Sequence, residues 1–440
     1  MKKVAVGLIG FGTVGAGVVK ILKKNASVLR QRLGVPVGLK SIADLDIKTD
    51  RGITLEKNIL TTDANKVLDD PEIDIVVELI GGIEPARKFI LQAIKNGKHV
   101  VTANKALLSE HGYEIFSAAA KNCVDVAFEA SVGGGIPIVR AMQEGFSSDR
   151  ILGFFGILNG TSNYILSRMT EEGGEFKDIL MDAQAKGYAE ADPTLDVGGI
   201  DTVHKLSVLI SLAFGKKVDT KKIYTEGISN ITSVDIEFTK ELGYRIKLLA
   251  ICRGTEKEVD ARVHPTLIPE DHLLSRVNET FNAVFLQSED VGPTMFYGKG
   301  AGMMPTASAV VADIMSLARN IVKGISNRVS LFPDDGRSLK EIKIKPVREI
   351  QTRYYLRFSA MDEPGVLSKI SGILGRNHIS IHSVVQKGRR TRRGSVPIFM
   401  LTHEAKESDL QKALKQMDRL AILRQKTIVI RIEDGLLKSE

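Results

Sequence analysis

Cysteine is nearly absent from this chain: Cys123 and Cys252 stand far apart and outside any ligand-spaced cluster. That scarcity excludes a disulfide framework and a cysteine-held zinc site, and it argues for a reducing, cytoplasmic setting. No apolar run approaches the length of a membrane span. Met1-Lys2-Lys3-Val4 runs straight into a short apolar strand, without the apolar core and cleavage site of a secretory signal. Internal repeats and low-complexity tracts are missing too. A membrane partner and a secreted, stapled scaffold are therefore not expected.

What is present is the composition of a globular protein, with 43% hydrophobic and 26% charged residues in 440. That length allows roughly two to four domains. The net charge is +8, but basic residues are interleaved with acids along the chain, so no nucleic-acid partner is expected. The one dense basic patch, Lys387 to Arg393 (KGRRTRR), reads as a solvated hairpin tip, with RNA or DNA contact as the alternative.

Up to about Asn122, β-like runs (VAVGLIG, VGLKSIADL, IDIVVELIGG, KHVVTA) alternate with helical stretches such as Pro85 to Asn96. This is the pattern of a parallel, doubly wound α/β sheet, assigned to residues 1–130. A second, α+β domain follows over 131–330, with the strand ILGFFGIL and a helix from Ile200 to Phe214, and the chain returns to the first domain near 301–325. Residues 331–350 read as a linker ending in a strand, and 351–440 as a β-α-β-β-α-β ferredoxin-like unit.

Gly10-Phe11-Gly12-Thr13-Val14-Gly15 is a G-x-G-x-x-G between the first strand and a helical run from Val14 to Arg32. Glycines there permit a tight turn and close approach of backbone N–H groups to a pyrophosphate, so this segment is the candidate NAD(P) site. The alternative is a purely structural turn. The second strand ends at Asp44, about thirty residues past the glycines rather than the usual ~20. An acid at that position binds a ribose 2′-hydroxyl, which argues for NAD, although Lys40, Lys48 and Arg51 are close enough in sequence to meet a 2′-phosphate.

Six colinear segments over residues 1–330 together resemble the homoserine dehydrogenases: GLIGFGTVGAGV (from Gly7), VTANKALL (Val101), EASVGGGIPIV (Glu129), LNGTSNYIL (Leu158), GYAEADPTLDVGGIDTVHKL (Gly187) and GKGAGMMPTASAV (Gly298). Read on its own, Gly187 to Lys205 is an acidic loop entering a helix, with Asp201 and Lys205 four residues apart on one face. An exposed ion pair is the plain reading of that spacing.

The resemblance implies more. Lys205 acts on the reacting oxygen with Lys105 nearby, while Glu190, Asp196 and Asp201 hold the substrate; Thr102, Lys105, Gly187 and Gly302 join the glycine turn at the cofactor. Two cations suit an aldehyde reduction, which needs the oxygen polarised and protonated as hydride reaches carbon. The family's monovalent-cation site, taken as sodium, falls on Glu129 with the backbone of Val132, Gly134 and Ile136. A flexible glycine hinge is compatible with the same residues.

The C-terminal unit resembles an ACT domain, carried by its element order and the turn Asp362-Glu363-Pro364-Gly365-Val366-Leu367. That likeness implies an amino-acid effector at Asp362, Gly365, Val366, Asn377 and Ile379, where two such domains pair in a homodimer or homotetramer. L-threonine, a downstream product, is the expected effector; a plain dimerisation module is the alternative.

The expectation is thus interconversion of L-homoserine and L-aspartate 4-semialdehyde with NAD(P), in threonine, methionine and isoleucine biosynthesis. No kinase-like segment precedes the dehydrogenase segments, so a fused aspartate kinase is not expected. One rival is another amino-acid-directed dehydrogenase, which the TANK and EADPTLD segments oppose and a substrate panel would discriminate. A second is a catalytically dead sensor, whose signature would be loss of Gly10, Gly12, Gly15, Lys105 or Lys205; all are present.

Overall fold

The computed structural model describes residues 3–329, 340–386 and 395–435. The basic turn at 387–393 and most of the expected linker, 331–339, lie outside the described residues. The chain divides into two compact units: Met1–Gly160 with Asp201–Thr220 and Thr280–Ile342, and Thr161–Ile200 with Lys221–Glu279 and Lys343–Glu440.

Six parallel strands organise the first unit: β1 (Val4–Ile9), β2 (Val37–Ala43), β3 (Leu60–Thr61), β4 (Ile75–Glu78), β5 (His99–Thr102) and β6 (Val126–Ala127), in the order β3-β2-β1-β4-β5-β6. β1 and β4 are buried along their whole length, as strands covered on both faces must be. This is the dinucleotide-binding order, and its direction reverses between β1 and β4, whose carboxyl ends flank the crevice such sheets use for ligands.

The run from Val14 to Arg32, read from sequence as one helix, breaks at Asn25 into Thr13–Lys24 and Ala26–Leu33. The second helix accounts for the long interval between the glycines and Asp44. The returning helix Met303–Lys323 sets Ala307, Val310, Ile314 and Leu317, spaced three or four apart, into one core with Val4, Val18, Val19 and Leu22. Gly17 makes the contact close: a Cβ there would stand 2.9 Å from that of Ala307. The unit also holds the helix Ile200–Phe214 and an antiparallel sheet of Ile151–Ile157, Phe281–Ser288 and Pro293–Lys299.

In the second unit the C-terminal β-α-β-β-α-β is realised as Gln351–Met361, helix Val366–Arg376, Ile381–Gln386, Ser395–Thr402, helix Glu407–Met417 and Ile428–Ile432. Its antiparallel order is Ile428–Ile432, Gln351–Met361, Ser395–Thr402, Ile381–Gln386. Tyr354, Leu356, Phe358 and Ala360 alternate onto the face that packs against Ile370, Leu374, Leu410 and Met417 of the two helices. Tyr355 and Arg357 take the opposite face and meet Asp235 at 2.9 and 2.6 Å.

One join was not foreseen. Ile428–Ile432 also pairs in parallel with Glu258–Pro269, which pairs along its length with Tyr244–Gly254, so the C-terminal unit continues a sheet begun far earlier in the chain. Ion pairs cross the seam: the buried Arg262 with Glu433 at 2.5 Å, and Arg431, itself held by Glu407 at 2.7 Å, with the half-buried Glu226 at 3.0 Å.

Candidate active site

Each glycine of the turn after β1 has its own reason. Gly10 sits at φ +102, and a Cβ there would lie 2.7 Å from the carbonyl carbon of Leu79. Gly15 would place one 2.2 Å from the Gly10 oxygen. Gly12 meets nothing within 4 Å, so its backbone is open to a ligand at the start of the helix Thr13–Lys24. Thr13 is exposed and Val14 half-buried beside it. This cradle fits a dinucleotide pyrophosphate.

Asp44 accepts the N–H of Phe11 on one oxygen and that of Asp46, at 2.8 Å, on the other. Arg51 lies 3.9 Å from Asp44, and its guanidinium stands over the Phe11 ring, 4.8 Å from the centroid. Of Lys40, Lys48 and Arg51, the three cations named from sequence, it is Arg51 that the loop after β2 folds back against Asp44.

Lys105 and Lys205 come together on Asp201. Lys105 begins the helix Lys105–Lys121, and Asp201 and Lys205 share the first turns of Ile200–Phe214. The Asp201 carboxylate lies 3.1 Å from Lys105 Nζ and 2.7 Å from Lys205 Nζ, and it accepts the Asn159 amide at 2.9 Å. Lys205 also donates to the Leu158 carbonyl at 2.7 Å. Burial would raise the Asp201 carboxyl, but the two lysines hold it well below the usual carboxylate range. His204 is pushed down by burial, against the opposing pull of Asp201. Leu158 and Asn159 sit in the LNGTSN motif, yet nothing in their spacing singled them out as partners of Lys205 and Asp201.

Thr102 is wholly buried, and its hydroxyl donates to Glu78 at 2.7 Å while accepting the Asn104 N–H at 3.0 Å. Gly302, at φ +112, starts the helix Met303–Lys323 and is exposed. Gly187, Glu190 and Asp196 belong to the second unit. Gly187 turns the chain at φ +74, the exposed Glu190 has its carbonyl held by the Gln184 amide at 3.1 Å, and Asp196 lies within the short helix Thr194–Val197, its carbonyl accepting Ser162 at 3.0 Å.

Glu129 is buried and accepts the N–H groups of Val139 (2.8 Å) and Arg140 (2.9 Å), one on each oxygen; burial raises its pKa. Gly133 and Gly134 have φ of +71 and +53, and a Cβ on Gly134 would stand 2.3 Å from the Gly300 oxygen. The Ile136 carbonyl accepts from Ile138 at 2.8 Å, and Val132 is buried. One hard carboxylate beside curled backbone suits a singly charged ion better than a zinc-type cluster. Among the described residues no group of three or more His, Cys, Asp and Glu could hold a metal.

In the C-terminal unit Gly365 is at φ +87, the cap of the helix Val366–Arg376, with Asp362 exposed just before it. Val366 and Ile379 send their side chains into the core, so only their backbones face outward. The Asn377 amide donates to the Ile373 carbonyl at 2.8 Å, closing that helix.

Comparison with known proteins agrees with this layout. Residues 10–129 match the family model described as homoserine dehydrogenase, NAD binding domain; 137–315 match homoserine dehydrogenase; 354–421 match the ACT domain. The chain is 46% identical over 435 residues to a homoserine dehydrogenase of Pseudomonas aeruginosa, covering 98% of this chain and 99% of that one. With the homoserine dehydrogenase of Bacillus subtilis it shares 40% identity over 98% of this chain and 99% of the relative. A crystal structure of a homoserine dehydrogenase from Thiobacillus denitrificans superposes with a TM-score of 0.92 at 46% identity, over 99% of both chains. Among the described residues, no helix is long and apolar enough to cross a membrane.

Proposed function

The chain belongs to the homoserine dehydrogenases, and from that membership we propose how its residues carry the interconversion of L-homoserine and L-aspartate 4-semialdehyde. It is an oxidoreductase with a nicotinamide-binding domain and an ACT domain. When bound, the nicotinamide would supply the hydride chemistry at the aldehyde carbon. Lys205 gives the proton to the oxygen that becomes the alcohol, and Lys105 adds a second positive charge beside it. The observation that carries this assignment is the single carboxylate, Asp201, bound to both ammonium groups. It leaves Lys205, with two of its three N–H bonds given to Leu158 and Asp201, one N–H for a substrate oxygen. Glu190 and Asp196 hold the substrate ammonium. The test is turnover of Lys205→Ala and Lys105→Ala in aspartate semialdehyde reduction, with dinucleotide binding measured separately; wild-type turnover in either variant rejects its role.

The glycine turn, Phe11, Thr13 and Val14, with Gly187, Gly302 and the backbone at Thr102, hold the dinucleotide. Asp44 receives the ribose hydroxyls of NAD, and Arg51 offers a cation to the 2′-phosphate of NADP, so both are accepted. A sodium ion is held by Glu129 with the carbonyls of Val132, Gly134 and Ile136. L-Threonine binds at Asp362, Gly365 and the backbones of Val366, Asn377 and Ile379 where the ACT domains of a homodimer or homotetramer pair, and it inhibits. The setting is the cytoplasm.

A further inference from the structure

Glu78 is a wholly buried carboxylate that the chemistry above leaves unused. It ends β4 in register with Thr102 at the end of β5. One of its oxygens accepts the N–H groups of Ile80 (2.8 Å) and Gly81 (3.2 Å), and the other accepts the Thr102 hydroxyl (2.7 Å). The Thr102 oxygen accepts the N–H of Asn104. Asn104 is the cap of the helix that begins with Lys105: its side-chain oxygen takes the Leu107 N–H at 3.1 Å, and its amide donates to the Gly82 carbonyl at 2.6 Å. An unbroken chain of hydrogen bonds therefore runs from a buried carboxyl group to the residue before a catalytic lysine. Burying a carboxylate is costly unless donors converge on it, and here the donors come from the two loops that must be held still.

We propose that Glu78 is a positioning residue for Lys105, fixing through Thr102 and Asn104 the turn that aims the ammonium group, and tying the loop 79–82 to it. The inference rests on the role given to Lys105 above. Glutamine at 78 keeps the shape but sets an NH2 group against donors, so one arm of the chain has to reverse or break. Displacing Lys105 by a fraction of its reach is enough to slow the step in which it stabilises developing charge.

The test compares Glu78→Gln, Thr102→Val, their double variant and Lys105→Ala, using aspartate semialdehyde with NADPH carrying hydrogen or deuterium at the transferred position. Active sites are counted by bound NADPH, so that partial unfolding lowers the count and not the rate per site. Each single variant is expected to lose about 10- to 100-fold in kcat per site and to show a larger primary isotope effect. The double variant should be no slower than the worse single one, because both changes cut the same chain. A purely structural role would leave rate per site and isotope effect unchanged, and that result, or losses that multiply in the double variant, overturns the proposal. Lys105→Ala keeps the two readings apart: wild-type turnover there defeats the lysine assignment, whereas a slow Lys105→Ala beside unimpaired Glu78→Gln and Thr102→Val defeats this one alone.

Discussion

Lys105 Nζ and Asp201 Oδ1, 96 positions apart in sequence, meet at 3.1 Å, and the same carboxylate holds Lys205 at 2.7 Å. Its pKa is held far down, so Asp201 stays charged throughout the working pH range. Asp201→Asn should therefore release both lysines at once, lowering kcat about 10²- to 10⁴-fold with dinucleotide affinity little changed. Its own titration cannot supply an acidic limb near neutrality: a depressed carboxyl loses its ion pairs only as pH falls below the ordinary range. A kcat–pH profile of wild type with a limb above pH 5 that vanishes in Asp201→Asn would refute this.

Arg51 beside Asp44 sets an expectation for the cofactor. Arg51→Ala should weaken NADPH by about 1.5 to 3 kcal/mol, the scale of a hydrogen bond to a charged group, and NADH far less. Asp44→Ser should shift preference toward NADP(H). Steady-state KM values for both dinucleotides decide it, and equal effects of Arg51→Ala on the two would show that the arginine merely packs on Phe11.

Lys247 makes stability depend on pH. It is buried, donates to Asn163 Oδ1, Val277 O and Asn278 Oδ1, and burial depresses its pKa to about 7. The unfolded lysine titrates near its ordinary value of 10.5, so between the two the unfolded chain binds more protons. Stability from this group accordingly rises with pH over that window, and is lowest below pH 7, where the buried ammonium is charged. Melting temperatures of wild type and Lys247→Met should draw apart in favour of wild type from pH 7 to 9.5; a constant difference would rule it out.

Gly365→Asp should abolish threonine inhibition while basal turnover persists, because it puts a side chain and a negative charge where a carboxylate is to bind. The cap at φ +87 tolerates aspartate at a cost of about 1 to 2 kcal/mol. Inhibition curves for both proteins at several homoserine concentrations test it; unchanged sensitivity would move the effector elsewhere.

The glycine turn and the strand–helix alternation were legible because each is a local pattern, whereas the two lysines were singled out by the resemblance, since spacing alone offered only an ion pair of Asp201 with Lys205. Glu78 was not, since it stands within the apolar run IDIVVELIGG and reads as one polar interruption of a strand. Arg51 was named as a residue able to meet a phosphate, but only the fold of the loop after β2 shows it against Asp44 and Phe11. The break at Asn25 escaped because Asn is tolerated in helices, and its neighbours keep the apolar period. The Asp235 contacts to Tyr355 and Arg357 join residues about 120 positions apart, a separation no periodicity reports.

The parallel pairing of Ile428–Ile432 with Glu258–Pro269 decides how the ACT domain can be exchanged. Cutting the chain ahead of residue 351 strips the neighbour from a central strand and leaves Arg262 and Glu226 without Glu433 and Arg431. Arg262 is buried and would keep only Asp260 once Glu433 is gone, and a buried charge short of a partner costs several kcal/mol, so truncation should destabilise the dehydrogenase itself. A chimera made by grafting a foreign ACT unit onto this dehydrogenase has to carry matching residues at 226 and 262, or import the strand Glu258–Pro269 along with the graft.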